Sequence, residues 1–407
     1  MPTLASSKGL FLIRLHPSSP HLLEKRVTSL CADTIQSIKA LAIHHETCHC
    51  PPFDMRTVQY QLPNLDLLLD RHSRPSYKVN PNEPGLEKEF TAFLDKLQNV
   101  ISPFQRKEIE GAQLPLCAAA YAPDADIQKL RVYLDYFVLL LLVEVMSDVS
   151  NAQAGMFDLD FMINLLNACA DNQPFDTSKQ KDPLVNLTAR FARKCFPPLA
   201  PSYRDDATQG TISYLQAAAQ ENYDRTNRAA FTVDSYIAHR RKVVAISPVI
   251  AFNRWMARIS LSHEILQTPP LQGLLEAAVD LIALSNDLIS YKKEKQQGED
   301  IHNLVSVAMA DPAIPVKSGD IQAGLDFAGS KIAEAYSRFQ QCKLDALAQL
   351  ASDDLETRSE ILCYVDTLLE TIDGNIVWQI DPRTVRYHLF ETPEEREHWL
   401  VSIHVED

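Results

Sequence analysis

Glycine is scarce in this chain, whose 407 residues include only 11 glycines. The usual content of about 7% would supply more than twice that number. Sheets with many tight turns and glycine-rich phosphate-binding loops both depend on this residue. The sequence also lacks a GxGxxG or Walker-type motif. A phosphate group would therefore have to be bound by metal ions or by cationic side chains.

Long apolar runs are missing as well. The longest, Phe137–Val143, is far shorter than the roughly 18 to 20 residues of a membrane span. The N-terminal apolar run Leu10–Ile13 ends at Arg14 and is too short for a secretion signal. The eight cysteines are scattered, which favours reduced core residues over a disulfide framework. We therefore expect a soluble, cytoplasmic protein that does not insert stably into a membrane.

Excess positive charge is the third absence. The net charge is -14, and this disfavours nucleic acid as a partner because a phosphate backbone requires a basic face. The oligomeric state, monomer or homodimer, is left open by the sequence.

Helical periodicity dominates from residue 86 onward, and prolines such as Pro183, Pro269 and Pro312 separate the periodic segments. No stretch combines strand alternation with hairpin turns. The pattern predicts an all-α fold, most simply one helical-bundle domain over residues 59–407. We expect residues 1–58 to form an N-terminal extension of unclear role, partly helical over residues 27–43.

A run of metal-binding residue types, His44–Cys50, occurs within that extension. No second CxxC or HxxxH pair accompanies it, and a CxC spacing is a narrow bite for one tetrahedral ion. A polar helix end before Pro51 explains this run better than a zinc site does.

Three polar residues, Asn286, Ser290 and Glu294, follow one another at i, i+4 and i+8 in a long helical segment. This spacing places their oxygens on one helix face. Amide, hydroxyl and carboxylate oxygens are the ligands that Mg2+ accepts, and Lys293 adds a cation beside them. An amphipathic helix with a polar outer face would produce the same spacing by chance.

Two acidic residues, Glu144 and Asp148, end an otherwise apolar helix that begins near Ile127. At i and i+4 their like charges repel unless a cation lies between them, so they too are candidate ligands of a divalent metal. The alternative is that both side chains reach solvent at the helix end.

Cations are concentrated at two places. Arg240-Arg241-Lys242 precedes an apolar stretch, and Arg386-Tyr387 lies near the C-terminus. An arginine fork suits bidentate binding of phosphate oxygens. A solvated basic face and a surface tail are the respective alternatives.

Together these motifs resemble those of fungal class I terpene synthases, of the basidiomycete sesquiterpene synthase type. Asn286, Ser290 and Glu294 match the NSE metal triad of that family, and the segment Gly298–Asn303 resembles the sequence that usually follows the triad. Arg240 lies 46 positions before Asn286, the separation of the family's pyrophosphate-sensing arginine. Arg386-Tyr387 is similar to the family's C-terminal diphosphate-binding pair.

Two positions depart from that pattern. The alignment places Glu144 where the family has its first metal-binding Asp, so the ligand is one methylene longer but still a carboxylate. Ala245 stands where the family commonly has a glycine after its sensing arginine.

The resemblance implies a class I terpenoid synthase α-helical bundle with a central active-site cavity. It implies three Mg2+ ions held by Glu144, Asp148 and the NSE triad against an isoprenoid diphosphate, farnesyl diphosphate by default. Arg240, Lys293 and Arg386 would stabilise the leaving diphosphate, with Tyr387 beside them, so the enzyme would be a carbon–oxygen lyase. Aromatic faces stabilise positive charge. The residues that could stabilise the carbocation in this way are Tyr121, Phe137 and Tyr387. Formation of an acyclic alcohol from geranyl or farnesyl diphosphate, and a non-catalytic isoprenoid-binding protein, are the alternatives.

Overall fold

A computed structural model of the chain describes residues 55–74, 77–97, 101–150, 159–177, 183–226, 230–350 and 355–406. The segment predicted to be helical at residues 27–43 and the His44–Cys50 run lie outside these residues. The division at residue 58 therefore stays a prediction.

The described residues form helices joined mostly by short loops, with one two-stranded sheet. The helices are α1 (Leu65–Leu68), α2 (Glu83–Lys96), α3 (Pro103–Gly111), α4 (Leu114–Tyr121), α5 (Ile127–Ser150), α6 (Leu159–Ala170), α7 (Pro183–Cys195), α8 (Pro201–Thr226), α9 (Val233–Val243), α10 (Ile246–Ala257), α11 (His263–Leu266), α12 (Pro269–Gln297), α13 (Leu304–Ala310), α14 (Ile321–Leu350), α15 (Leu355–Ile380) and α16 (Pro393–His398). The strands are β1 (Met55–Gln61) and β2 (Leu400–Glu406), and short 3-10 turns occur at Arg71–Ser73 and Asp300–His302. The predicted all-α class is confirmed.

The two strands are the elements that the sequence did not predict. Thr57 Oγ1 lies 2.9 Å from His404 Nδ1, and the Leu62 N–H donates to the Trp399 carbonyl at 2.7 Å, which is an antiparallel register. The partner strands come from opposite ends of the described chain, so no local hairpin signal announces them.

Helix α12 is the central element of the bundle and packs against α14, α15, α9 and α13. Pro269 and Pro270 occupy its first turn, where a missing N–H costs nothing. At its C-terminus Gly298 has φ 71°, and the Glu299 N–H donates to the Glu294 carbonyl at 2.9 Å, which completes a Schellman motif.

Most of the inner turns of α12 are buried. Residues 277–285 and 287–292 have almost no exposed surface, so the helix is surrounded on all sides. Any polar side chain in this stretch therefore needs a partner from another helix.

Some of the few glycines lie where two helices cross closely. A Cβ on Gly374 of α15 would lie 2.3 Å from the Ala120 carbonyl oxygen of α4, and one on Gly210 of α8 would lie 2.9 Å from the ring of Pro248 in α10. At these two positions the absence of a side chain allows the neighbouring helices to approach each other closely.

Two composition-based expectations meet the structure here. Within the described ranges, no helix has both the length and the apolar character required to cross a bilayer. The five described cysteines are free thiols, three of them buried: Cys117, Cys169 and Cys195.

We expect Gly374→Ala to lower the free energy of unfolding by at least about 2 kcal/mol, because the added methyl would overlap the backbone of α4. Gly85→Ala is the matched control: a Cβ there meets nothing within 4 Å, and alanine favours the helix by about 0.5 kcal/mol. Urea denaturation of both variants checks this. Equal stabilities for the two would contradict the close crossing.

Candidate active site

Three of the five residues predicted as metal ligands, Asn286, Ser290 and Glu294, lie on one face of α12. Asn286 Oδ1 accepts a hydrogen bond from an Arg240 guanidinium nitrogen at 2.6 Å. Glu294 Oε2 accepts one from the amide of Asn303 at 2.9 Å. Ser290 is only 3% exposed. Burial raises the pKa of the Glu294 carboxyl, and hydrogen bonds from the side chains of Ser290 and Asn303 partly offset this.

Arg240 projects from α9 onto the same face. Its Nε donates to Asp287 Oδ1 at 2.8 Å, and the Asp287 side chain is only 2% exposed. Burial alone would lower the pKa of Arg240, but Asp287, Tyr236 and Glu221 together outweigh this effect, so the pKa is raised. The guanidinium therefore stays charged inside the bundle.

Asp287 is a site residue that the sequence reasoning missed. Its Oδ2 accepts hydrogen bonds from the Tyr236 hydroxyl at 2.6 Å and from the Leu304 N–H at 3.1 Å. A signal was available, because an acidic residue within an apolar helical run requires a buried cation. The same rule was applied to Glu144 and would have paired Asp287 with a nearby arginine.

No role was predicted for Asn303, which was named only as the last residue of the segment Gly298–Asn303. It is fully buried, and besides contacting Glu294 its amide donates to the Asp287 carbonyl at 2.8 Å. Its Oδ1 accepts from the Val305 N–H at 3.0 Å and caps α13. The residue thus fixes Glu294 relative to the segment after α12.

The C-terminal pair joins the site from the other side. The Tyr387 hydroxyl lies 3.3 Å from the Asn286 amide nitrogen. Burial raises the pKa of Tyr387 to about 12, so the hydroxyl keeps its proton. Arg386, its neighbour, donates to Glu144 Oε1 and forms an ion pair with it.

Lys293 lies near this ion pair. Burial lowers the pKa of Lys293, and the neighbouring Arg386 lowers it further. Among the described residues Lys293 makes no ion pair, whereas Lys292 binds Glu391 at 2.7 Å. Of the two lysines, only Lys293 has a charge that is free for a ligand.

The remaining predicted ligand is Asp148. It lies in the last turn of α5, one turn after Glu144, and its side chain is outside the described residues. The structure therefore joins Glu144, Arg386, Tyr387, Asn286 and Arg240 in one polar cluster, and α12 carries Ser290 and Glu294 beyond it.

The chain is interrupted between α9 and α10 by a left-handed residue that is alanine, not glycine. Ala245 has φ 58° and ψ 23°, between the end of α9 and the start of α10. The left-handed region costs a residue with a side chain about 1 to 2 kcal/mol. The chain thus keeps a strained backbone at this point with alanine.

The three aromatic candidates form a connected series. The Tyr387 ring contacts Trp378 at 5.6 Å between centroids, Trp378 contacts Tyr121 at 6.4 Å, and Tyr121 contacts Phe137 at 5.5 Å. Trp378 therefore connects Tyr387 to the rings of Tyr121 and Phe137.

The oxygen donors suit a hard divalent metal. Among the described side chains, no three His, Cys, Asp or Glu residues are grouped so that they could hold an ion. The triad supplies one amide, one hydroxyl and one carboxylate instead. Such a set of oxygen donors on one helix face fits a magnesium-type ion, and the surrounding arginines suit an anion bound to it.

Comparison with known proteins identifies the class. A family model described as "Terpene synthase family 2, C-terminal metal binding" matches residues 135–338. The chain belongs to this family. It is therefore a class I terpene synthase that acts on an isoprenoid diphosphate with a divalent metal.

The resemblance to fungal enzymes is also confirmed. "Sesquiterpene synthase Agr1" of Cyclocybe aegerita is 25% identical over 79% of this chain and 88% of that protein. "Sesquiterpene synthase 3" of Postia placenta is 27% identical over 80% of this chain and 84% of that protein.

Solved structures share the fold. An α-eudesmol synthase has a TM-score of 0.61 at 18% identity and covers 75% of this chain and 97% of its own. A linalool/nerolidol synthase from Streptomyces clavuligerus has a TM-score of 0.59 at 14% identity, covering 74% of this chain and 97% of its own. At such identities the likeness shows the fold alone.

We expect Asp287→Asn to lower the free energy of unfolding by about 3 kcal/mol, because it leaves the buried Arg240 without its counter-charge. Asp326→Asn, at an exposed position of α14, is the control and should stay within about 0.5 kcal/mol of the wild type. Urea denaturation measures both. A loss below 1 kcal/mol for Asp287→Asn would mean that the pair contributes little.

Proposed function

We propose that this enzyme ionises farnesyl diphosphate with Mg2+ and converts the carbocation to a sesquiterpene hydrocarbon or alcohol, with release of diphosphate. One observation carries the proposal. Asn286 of the triad contacts Arg240 on one side and Tyr387, the neighbour of Arg386, on the other. The candidate metal-binding oxygens and the candidate diphosphate-binding cations therefore belong to one cluster.

The triad on α12 and the carboxylates Glu144 and Asp148 on α5 are the residues that would hold the metal. Three Mg2+ ions are expected from the family resemblance; when bound, they neutralise charge that grows on the leaving diphosphate. Arg240, Lys293 and Arg386 supplement them from the protein.

Tyr387 has an orienting role in this proposal. Its hydroxyl stays protonated and holds the Asn286 amide, which leaves the Asn286 oxygen on the side of Arg240. Because no protein nucleophile is needed, the remaining task is to keep water away from the cation. Tyr121 and Phe137 are buried and contact each other, and Tyr121 also contacts Trp378; these aromatic rings are the candidates to stabilise the cation.

Farnesyl diphosphate is favoured as the substrate by the relatives, since several are named sesquiterpene synthases. An acyclic alcohol from geranyl or farnesyl diphosphate is the second candidate, because Glu144 alters the acidic motif and early water capture would end the reaction there. All described site residues lie within 59–407, so we propose that this region contains the whole catalytic domain.

Purified protein with Mg2+ should release diphosphate from farnesyl diphosphate, and a chelator should abolish the reaction because the triad on α12 and the carboxylates on α5 would both act through the metal. Geranyl and geranylgeranyl diphosphate serve as competing substrates, with products identified by gas chromatography and mass detection. A cyclic fifteen-carbon product supports the proposal; linalool or nerolidol supports the second candidate. Binding of all three without turnover would leave only an isoprenoid-binding protein.

Glu294→Ala should reduce kcat at least about 100-fold, since it removes the one carboxylate of the triad. Glu299→Gln, at an exposed position just after the same helix, is the matched control and should stay within about twofold of the wild type. Circular dichroism should be unchanged in both. Wild-type turnover by Glu294→Ala would show that the metal lies elsewhere.

Glu144→Gln should raise the Mg2+ concentration needed for half-maximal activity about 10-fold to 100-fold, because a neutral amide is a poorer ligand. Glu144→Asp, which restores the residue type of the family, should stay near the wild type. If Glu144 served only to hold Arg386, neither variant would change the magnesium requirement.

A further inference from the structure

Helix α9 carries two consecutive arginines that reach different points of α12. Arg240 binds Asp287 and Asn286 within the proposed site. Arg241 binds Asp280, which lies two turns earlier, roughly 10 Å along the helix axis. Successive helical residues point about 100° apart, so the two side chains contact α12 at separate places.

The second contact is bidentate. Arg241 Nε donates to Asp280 Oδ1 at 2.6 Å, and a terminal nitrogen donates to Oδ2 at 2.8 Å. The Asp280 side chain is only 1% exposed. A third nitrogen lies 3.0 Å from Glu276, one turn before Asp280. This fork geometry fixes the guanidinium in both position and plane.

A third helix shares the same carboxylates. Arg338 of α14 forms an ion pair with Asp280 and lies 3.5 Å from Glu276. Its side chain is 49% exposed, so its share of the interaction is more screened by solvent. We call these four residues, Arg241, Glu276, Asp280 and Arg338, the Arg241 cluster.

The Arg241 cluster anchors the end of α9 that carries Arg240. The other end is held separately, because the Val233 N–H donates to Asp311 at 2.8 Å. Just beyond Arg241 the helix stops at Val243, and Ala245 turns into the left-handed region. The last turn of α9 therefore has no continuing helix to stiffen it.

The cluster is separate from the metal-type oxygens. Arg241, Asp280 and Arg338 border a groove of about 890 Å³ between α9, α12 and α14, and none of the triad residues lines this groove. Any effect of Arg241 on the reaction would therefore be indirect and would pass through the helices that it joins, α9 and α12.

From this geometry we infer that Arg241 is a positioning residue, which rests on the proposed function of Arg240. The bidentate contact with Asp280 sets the rotation and height of the last turn of α9, and so aims the Arg240 guanidinium at Asn286 and at the diphosphate. Arg241 itself touches neither substrate nor metal.

The test compares Arg241→Ala with Arg338→Ala, which removes the other guanidinium from the same carboxylates but leaves α9 attached. Binding of inorganic diphosphate with Mg2+ is measured by titration calorimetry, and kcat and KM with farnesyl diphosphate. Arg241→Ala should weaken diphosphate binding about tenfold and lower kcat by roughly 100-fold, as expected for a displaced charged group. Arg338→Ala should stay within about twofold on both measures.

Arg241→Lys provides a folded variant if Arg241→Ala does not fold. Lysine keeps the charge but loses the fork, so an intermediate loss of diphosphate affinity is expected. Equal losses for the Arg241 and Arg338 variants, or wild-type binding by Arg241→Ala and Arg241→Lys, would reduce the cluster to a stabilising contact and overturn the inference.

A crystal structure of the Arg241→Lys protein separates this inference from the proposed function. The Arg240 guanidinium should move away from Asn286 Oδ1 whether or not the enzyme turns over farnesyl diphosphate. An unchanged Arg240 would overturn the positioning role. Failure of the wild type to bind magnesium diphosphate would instead overturn the proposed function.

Discussion

The buried pair of Arg240 and Asp287 is the interaction on which the rest of the site depends. Removing a carboxylate and a guanidinium from water costs several kcal/mol each, and their attraction offsets this only when every donor and acceptor is used. Here Tyr236 and the Leu304 N–H occupy the other Asp287 oxygen. The pair therefore ties α9, α12 and the start of α13 together, and Arg240 still reaches Asn286.

This arrangement explains how the site can lie on a helix whose inner turns are almost wholly buried. Ser290 is buried and interacts with the Glu294 carboxylate, so two of the candidate ligand oxygens are held close together. Burial lowers the pKa of Lys293, and a bound anion would favour its protonated form. A polar cluster held in a buried core is pre-organised for charge that arrives with the substrate.

The sequence was most informative where spacing along one helix carried the signal. Asn286, Ser290 and Glu294 were predicted from their periodicity, and the family membership that they suggested is confirmed. Asp287 was missed although a carboxylate in an apolar helical run requires a cation, because the arginine that supplies this charge lies 47 positions away and only the fold identifies it. The β1–β2 pair was missed for the same reason, since its strands lie at opposite ends of the described chain.

The sequence by itself determined the all-α class, the polar face of α12 and the chemical nature of the candidate ligands, because periodicity and residue type are local properties. Only the tertiary structure decided which groups meet. It brought Arg386 to Glu144, Tyr387 to Asn286 and Arg241 to Asp280. Such pairings depend on how helices cross and on which charges burial forces together, and neither is encoded in any single stretch of the chain.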